Sequence, residues 1–316
     1  MRLACLASAT FAMFGTVVVG AATAVEPQGT VPKAQLAAAV HCHGNLAGAA
    51  HTPVLLLPGS GSDGSDLWPS GFGRELSADR VPSCFLDLPG HTTADMQTSA
   101  EYVVFALRRM ARRARQRVGV YGFSQGGVLA RLALTYWPST RRLVSDVVSA
   151  AAPQHGSTVS IDCAAFGCSA SAWQRRADSR LIAALNGGDE SPGRTAWTTL
   201  RTLDDGNAQP VSGTHPTSVL DGARNLLMQR ICPGRHVEHL AMAFDAVAYA
   251  VLRDATTHPG PARVRRLPRG ICRKIFVGEL ELEQRRAQLE ALNNKIIGNN
   301  LAGRRLAAEP PVRLRR

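Results

Sequence analysis

Lysine is almost missing from this 316-residue chain. It occurs only at 33, 274 and 295, so the net charge of +12 is carried nearly all by arginine. Such a bias follows from a GC-rich genome and does not require a nucleic-acid partner, and acidic residues dilute the basic ones until the end of the chain. From Arg285 onward, Arg286, Lys295, Arg304, Arg305, Arg313, Arg315 and Arg316 face only Glu290 and Glu309. That tail reads first as a solvated extension, and second as a surface in transient contact with an anionic envelope or lipid interface. Aromatic residues make up only 5% of the chain, which gives a carbohydrate little to stack on and disfavours polysaccharide esters. The cysteines are scattered and no C-x-x-C pair stands beside a histidine pair, so a metal site is not indicated. Past the N-terminus no apolar run is long enough to span a bilayer, and no repeat period is visible.

What is present begins with an address. Met1-Arg2, an apolar stretch from Leu3 to Val19, and Gly20-Ala21-Ala22-Thr23-Ala24 have the form of a secretory signal cut near Ala24. An uncleaved membrane anchor is the rival reading. Cys5 leaves with the leader, and six cysteines remain, an even number suited to an oxidising, extracellular or periplasmic compartment. Six cysteines allow about fifteen connectivities, among which spacing does not choose. With 45% hydrophobic residues the mature chain can bury one sizeable core. The expected division is a leader at 1–24, one domain at 25–276 and a basic helical C-terminal extension at 277–316. Nothing in the sequence requires an obligate protein partner.

Val54-Leu55-Leu56-Leu57 is a continuous apolar run that opens into Pro58-Gly59-Ser60-Gly61, and Cys84 to Leu88 followed by Pro89-Gly90 repeats the pattern. Thr98 to Arg115 has helical spacing, Val118 to Tyr121 reads as a buried strand, and Val144 to Ala152 as another. Strands alternating with helices predict an α/β fold: a mostly parallel central sheet with helices on both faces. Ligands of such sheets bind at the carboxyl ends of the strands. Between Ala152 and about Thr195 the pattern loosens, and this insertion reads equally as a cover over a site or as surface decoration. After Phe276 the charged stretch with Leu282, Leu289, Leu292 and Ile296 near heptad spacing reads as an appendage.

Gly122-Phe123-Ser124-Gln125-Gly126 follows a strand and precedes a helix, the setting of the nucleophile elbow of serine hydrolases. The turn forces Ser124 into a strained backbone and leaves no room for side chains at 122 and 126. A serine hydroxyl is too weak an acid to attack an ester unaided, so a histidine must take its proton and an acid must orient that histidine. With this elbow the chain order is serine, acid, histidine. His239, on a loop before an apolar helix start, is the candidate base, with His236 its competitor; His155 comes too soon after Ser124. Asp204 and Asp205, just past the run Trp197 to Leu200, are the candidate acids, with Asp221, Asp189 and Asp178 as alternatives. The backbone N–H groups of Gln125 and Ser60 are candidate donors to an oxyanion.

The segments Pro53 to Gly61, Phe123 to Ala130, Leu134 to Ser139 and Val237-Glu238-His239 resemble those of the Candida antarctica lipase B family, over about His51 to Cys272. The resemblance implies an α/β-hydrolase fold and hydrolysis of carboxylic esters, typically acylglycerols, with no cofactor and no metal. It implies Ser124 as nucleophile, His239 as base, Asp205 as acid through Asp205 to Pro210, and Gln125 and Ser60 as oxyanion donors, with serine where the family has threonine. It also implies the bridges Cys42–Cys84 and Cys232–Cys272, which leaves Cys163 and Cys168 for a third. The match departs between Ser157 and Arg194, and the tail after Phe276 has no aligned counterpart. An acyltransferase on the same triad, or a non-catalytic lipid-binding relative, would carry the same motifs.

Overall fold

Four-residue runs with no polar position suit strands whose sheet is covered on both faces. In the computed structural model, which describes residues 26–159 and 162–314, these runs form the middle of a sheet. The leader expected at 1–24, with Cys5, lies outside the described residues. The strands are β1 (Val40–His43), β2 (Val54–Leu57), β3 (Ser83–Leu86), β4 (Val118–Phe123), β5 (Val144–Ala150), β6 (Ala196–Arg201) and β7 (Arg224–Leu227). Their order is β1-β3-β2-β4-β5-β6-β7. Only β1 runs antiparallel to its neighbour, and the other described pairs are parallel.

Strand side chains alternate between faces, so β2 feeds two cores. Leu55 and Leu57 pack with Met96, Val103 and Leu107 of α1 (Met96–Ala114) and with Leu129 and Leu132 of α2 (Gln125–Tyr136). Val54 and Leu56 pack on the other face with Trp68, Phe72, Phe244 and the α3 (Ala246–Thr257) residues Val247 and Val251. At ~1.5–3 kcal/mol for each fully buried aliphatic side chain, this double burial fixes the register of the central strands.

β1 and β7 were not visible in the sequence. β1 is Val-His-Cys-His with three exposed positions, and it is tied to β3 by Cys42–Cys84, which sit opposite each other in the ladder. Bridges Cys163–Cys168 and Cys232–Cys272 are also formed. The loose segment after β5 carries short helices at Cys163–Phe166, Ala170–Gln174 and Arg180–Asn186.

The segment after Phe276 is not a detached appendage. Its helix α4 (Leu282–Ala302) lies along the loop that follows β2. Lys295 Nζ donates to Asp66 Oδ1 at 2.6 Å, and Asn299 Nδ2 to the Gly61 carbonyl at 2.9 Å. Arg285, fully buried, donates to the carbonyls of Ser70 and Val277 and stands 4.8 Å over the Phe244 ring. Further on, Glu309 accepts from the Arg180 and Leu181 backbone N–H groups. Among the described residues no helix is long and apolar enough to cross a membrane.

Candidate active site

Ser124 stands between β4 and α2 with φ 52° and ψ −125°, a strained conformation for a residue with a side chain. The sequence permits it because glycines flank it. A Cβ on Gly122 would lie 2.5 Å from the Gly127 backbone, and one on Gly126 would lie 2.6 Å from the Leu57 carbonyl. Asp205 sits in the turn after β6, and His239 on the loop that follows β7 and the short helix Met228–Ile231.

These three side chains meet. His239 Nε2 is 2.9 Å from Ser124 Oγ. Its Nδ1 is 2.8 and 2.9 Å from the two carboxylate oxygens of Asp205. The carboxylate is 2% exposed and the imidazole 12%, so the chain of contacts is largely screened from water. A carboxylate accepts only, so Nδ1 donates to it; Nε2 is left to accept the serine proton. A hydroxyl so placed can be deprotonated as it attacks.

The neighbours are sorted by the same bonds. Asp204 Oδ2 accepts the Val237 N–H at 2.9 Å, so it holds the histidine loop and does not face the ring. His236 is 89% exposed and only 3.5 Å from Asp204 Oδ1. His155 donates from Nε2 to Glu190 Oε1, 2.7 Å away. Gln229 escaped the sequence reading. Its Nε2 donates to Thr202 Oγ1 and the Arg235 carbonyl, both at 3.0 Å, and its Oε1 accepts from the Leu203 N–H. It therefore ties the acid turn to the histidine loop, and no motif marks it.

The donor candidates also converge. Gln125 N–H lies in the first turn of α2, where helical N–H groups have no intrahelical acceptor. A Cβ on Gly59 would come within 3.0 Å of Ser124 Cβ, which brings the Ser60 loop beside the nucleophile position. The Ser60 hydroxyl is committed elsewhere: it donates to Asn300 Oδ1 of α4 at 2.9 Å. Ser124 opens into a cavity of about 300 Å³. One wall is the insertion after β5, including Ser157, Val159 and the Cys163–Cys168 bridge; the other is α4, through Asn293, Ile296 and Leu301. The insertion thus covers the site. Among the described residues, no three His, Cys, Asp or Glu side chains are grouped to hold a metal ion.

The model of the alpha/beta hydrolase family matches residues 54–313. The chain belongs to the α/β-hydrolase family. Within it, this hydrolase is 27% identical over 266 residues to lipase B of Pseudozyma antarctica, covering 82% of this chain and 78% of that protein. It superposes on the crystal structure of Aspergillus fumigatus lipase B with a TM-score of 0.84 at 26% identity, covering 94% of this chain and 75% of that one. The family match itself runs past Phe276, to residue 313. The Bacillus licheniformis lipase BlEst2 in its propeptide form, at 16% identity and a TM-score of 0.53 over 71% of this chain and 55% of that one, shares the fold. This hydrolase is thus lipase-like in sequence and in structure.

Proposed function

We propose that this hydrolase is secreted and cleaves carboxylic esters, acylglycerols among them, through an acyl-enzyme on Ser124. The observation that carries the proposal is the single imidazole of His239 within 2.9 Å of both Ser124 Oγ and the Asp205 carboxylate. Ser124 Oγ attacks the ester carbonyl carbon while its proton passes to His239 Nε2. The resulting imidazolium is stabilised by Asp205, and the oxyanion by the N–H groups of Gln125 and Ser60. Collapse breaks the bond to the alcohol oxygen, which takes the proton from Nε2. Water then enters, gives a proton to Nε2 and attacks the acyl carbon; the acid leaves as Ser124 is reprotonated.

Two features support a lipid-like ester. Val159, Ile297 and Leu301 line the cavity and are each about half exposed, so its mouth is apolar. Three disulfides suit an oxidising compartment, in keeping with a leader removed near Ala24. Replacing Ser124 by Ala is expected to abolish p-nitrophenyl ester turnover and labelling by a fluorophosphonate; undiminished turnover ends the proposal.

A further inference from the structure

Three arginines, Arg175, Arg176 and Arg305, line the cavity that holds Ser124 and His239, and among the described residues no aspartate or glutamate lines it. Arg176 is paired: its Nη2 is 2.6 Å from Asp178 Oδ2. Arg305 donates from Nη1 to the carbonyls of Phe166 and Gly167, at 3.2 and 3.0 Å. Arg175 differs from both. No hydrogen bond or ion pair of its side chain is formed among the described residues, and its Nε is closed off from water without an acceptor. Elsewhere in the chain Arg131, Arg235 and Arg285 donate to carbonyl or carboxylate oxygens, and Arg201, away from the cavity lining, shares with Arg175 a closed-off Nε.

A guanidinium nitrogen closed off from water without an acceptor is costly, and that is the state of the Arg175 Nε. Burial pushes Arg175 down to about 10, which still leaves it charged at neutral pH. The residue is also held in place by its backbone. Its N–H donates to the Ser171 carbonyl at 2.9 Å and its carbonyl accepts from the Ser157 N–H at 2.7 Å. A charged guanidinium on the wall of a substrate cavity, with its terminal nitrogens uncommitted among the described residues, suits a planar or tetrahedral anion, which it can bind with two parallel N–H donors.

We propose that Arg175 receives an anionic group, a carboxylate or a phosphate, carried by the ester substrate, and that this hydrolase favours anionic esters over neutral ones. The proposal rests on the reading of this cavity as the ester site and names the substrate class.

The test compares matched esters. On the acyl side, mono-p-nitrophenyl suberate is set against p-nitrophenyl octanoate; on the alcohol side, 1-octanoylglycerol 3-phosphate against 1-octanoylglycerol. In at least one pair the anionic member is expected to have a kcat/KM about tenfold higher or more, the effect of one charge-assisted bond. The pair that shows it tells whether the anion sits on the acid or the alcohol. The preference should shrink as salt is raised. Arg175→Gln should bring the ratio to about one, Arg175→Lys should keep part of it, and Arg286→Gln, an exposed arginine paired with Glu283, should leave it intact. A wild-type ratio of one or less in both pairs overturns the proposal, and this needs no variant to fold. An unchanged ratio in Arg175→Gln overturns it too. Ser124-dependent turnover of the neutral esters without any anionic preference sinks this inference alone; no Ser124-dependent turnover of any of the four sinks the ester reading with it.

Discussion

Asp205→Asn keeps the shape of the site and changes one atom, and the structure dictates where that atom goes. Asp205 Oδ1 accepts the backbone N–H groups of Asn207 and Ala208, both at 2.8 Å. An amide nitrogen turned toward them would face two donors and leave them unsatisfied, at ~1–3 kcal/mol each. The oxygen therefore stays on that side and the NH2 takes the Oδ2 place, 2.9 Å from His239 Nδ1. There it meets the Nδ1–H donor to donor, and the retained Oδ1, 2.8 Å from Nδ1, already accepts two backbone N–H groups; the balance favours a ring proton moved to Nε2, with Nδ1 accepting from the amide. A protonated Nε2, 2.9 Å from Ser124 Oγ, cannot take the serine proton. Inverting the tautomer in this kind of triad lowers kcat by about 10⁴, or ~5 kcal/mol at 1.36 kcal/mol per decade. Turnover of p-nitrophenyl butyrate and the rate of fluorophosphonate labelling should fall together, with KM little changed. Because the two backbone bonds survive, the urea midpoint should move little. More than about a tenth of wild-type kcat in a folded Asp205→Asn protein would refute the argument.

Three other substitutions test the surroundings. Asn300→Ala removes the acceptor of the Ser60 hydroxyl and loosens the donor loop, so kcat/KM should drop by up to about tenfold; an equal or higher value would mean that the freed hydroxyl itself serves the oxyanion. Arg235→Met strands the Asp245 carboxylate, whose burial already pushes it upward against the pull of Arg235; unfolding in urea should show a loss of ~3–5 kcal/mol, and a loss under ~1 kcal/mol would count against a buried pair. Burial pushes Asp146 up from 3.8 to about 6, so the folded state holds its proton more tightly than the unfolded chain does. The wild type therefore loses stability as pH rises through that window, and the penalty is complete above about 6. Asp146→Asn should gain ~1–3 kcal/mol in urea unfolding at pH 8 and nothing at pH 4; an equal gain at both would refute the assignment.

How much of this was legible depended on how local the cause was. The central strands could be read because burial on both faces leaves runs such as Val54 to Leu57 without a polar residue. The elbow could be read because its G-x-S-x-G lies between a readable strand and a readable helix; Gly122 is required by Gly127 close by, although Gly126 is required by Leu57 of β2. Asp204 and Asp205 could not be separated from spacing, since adjacent turn residues point apart and only the loop geometry tells which meets the ring. The same holds for His236 and His239. β1 was hidden because an exposed edge strand carries no apolar signature, and its anchor is a cysteine 42 positions away. The role of α4 was hidden for the same reason: Leu289, Leu292 and Ile296 announced a helix with an apolar stripe, but its polar contact with Ser60 spans 240 positions.

That contact bears on how any change in specificity will register. The sheet supplies Ser124 and Asp205 at the ends of β4 and β6, and Gln229 and Asp204 lock the loop of His239 to the same turn. The reacting atoms thus sit on the rigid part of the molecule. The cavity walls come instead from the insertion and from α4, which supply arginines and asparagines that line it. Yet α4 also holds the Ser60 donor loop through Asn299 and Asn300. A substitution on the cavity side of α4 therefore acts on the wall of the proposed ester site and on the loop proposed to meet the oxyanion, so KM and kcat should shift together. Arg175 lies on the opposite wall and has no bond to that loop, so substrate choice can be altered there while the donor geometry is kept.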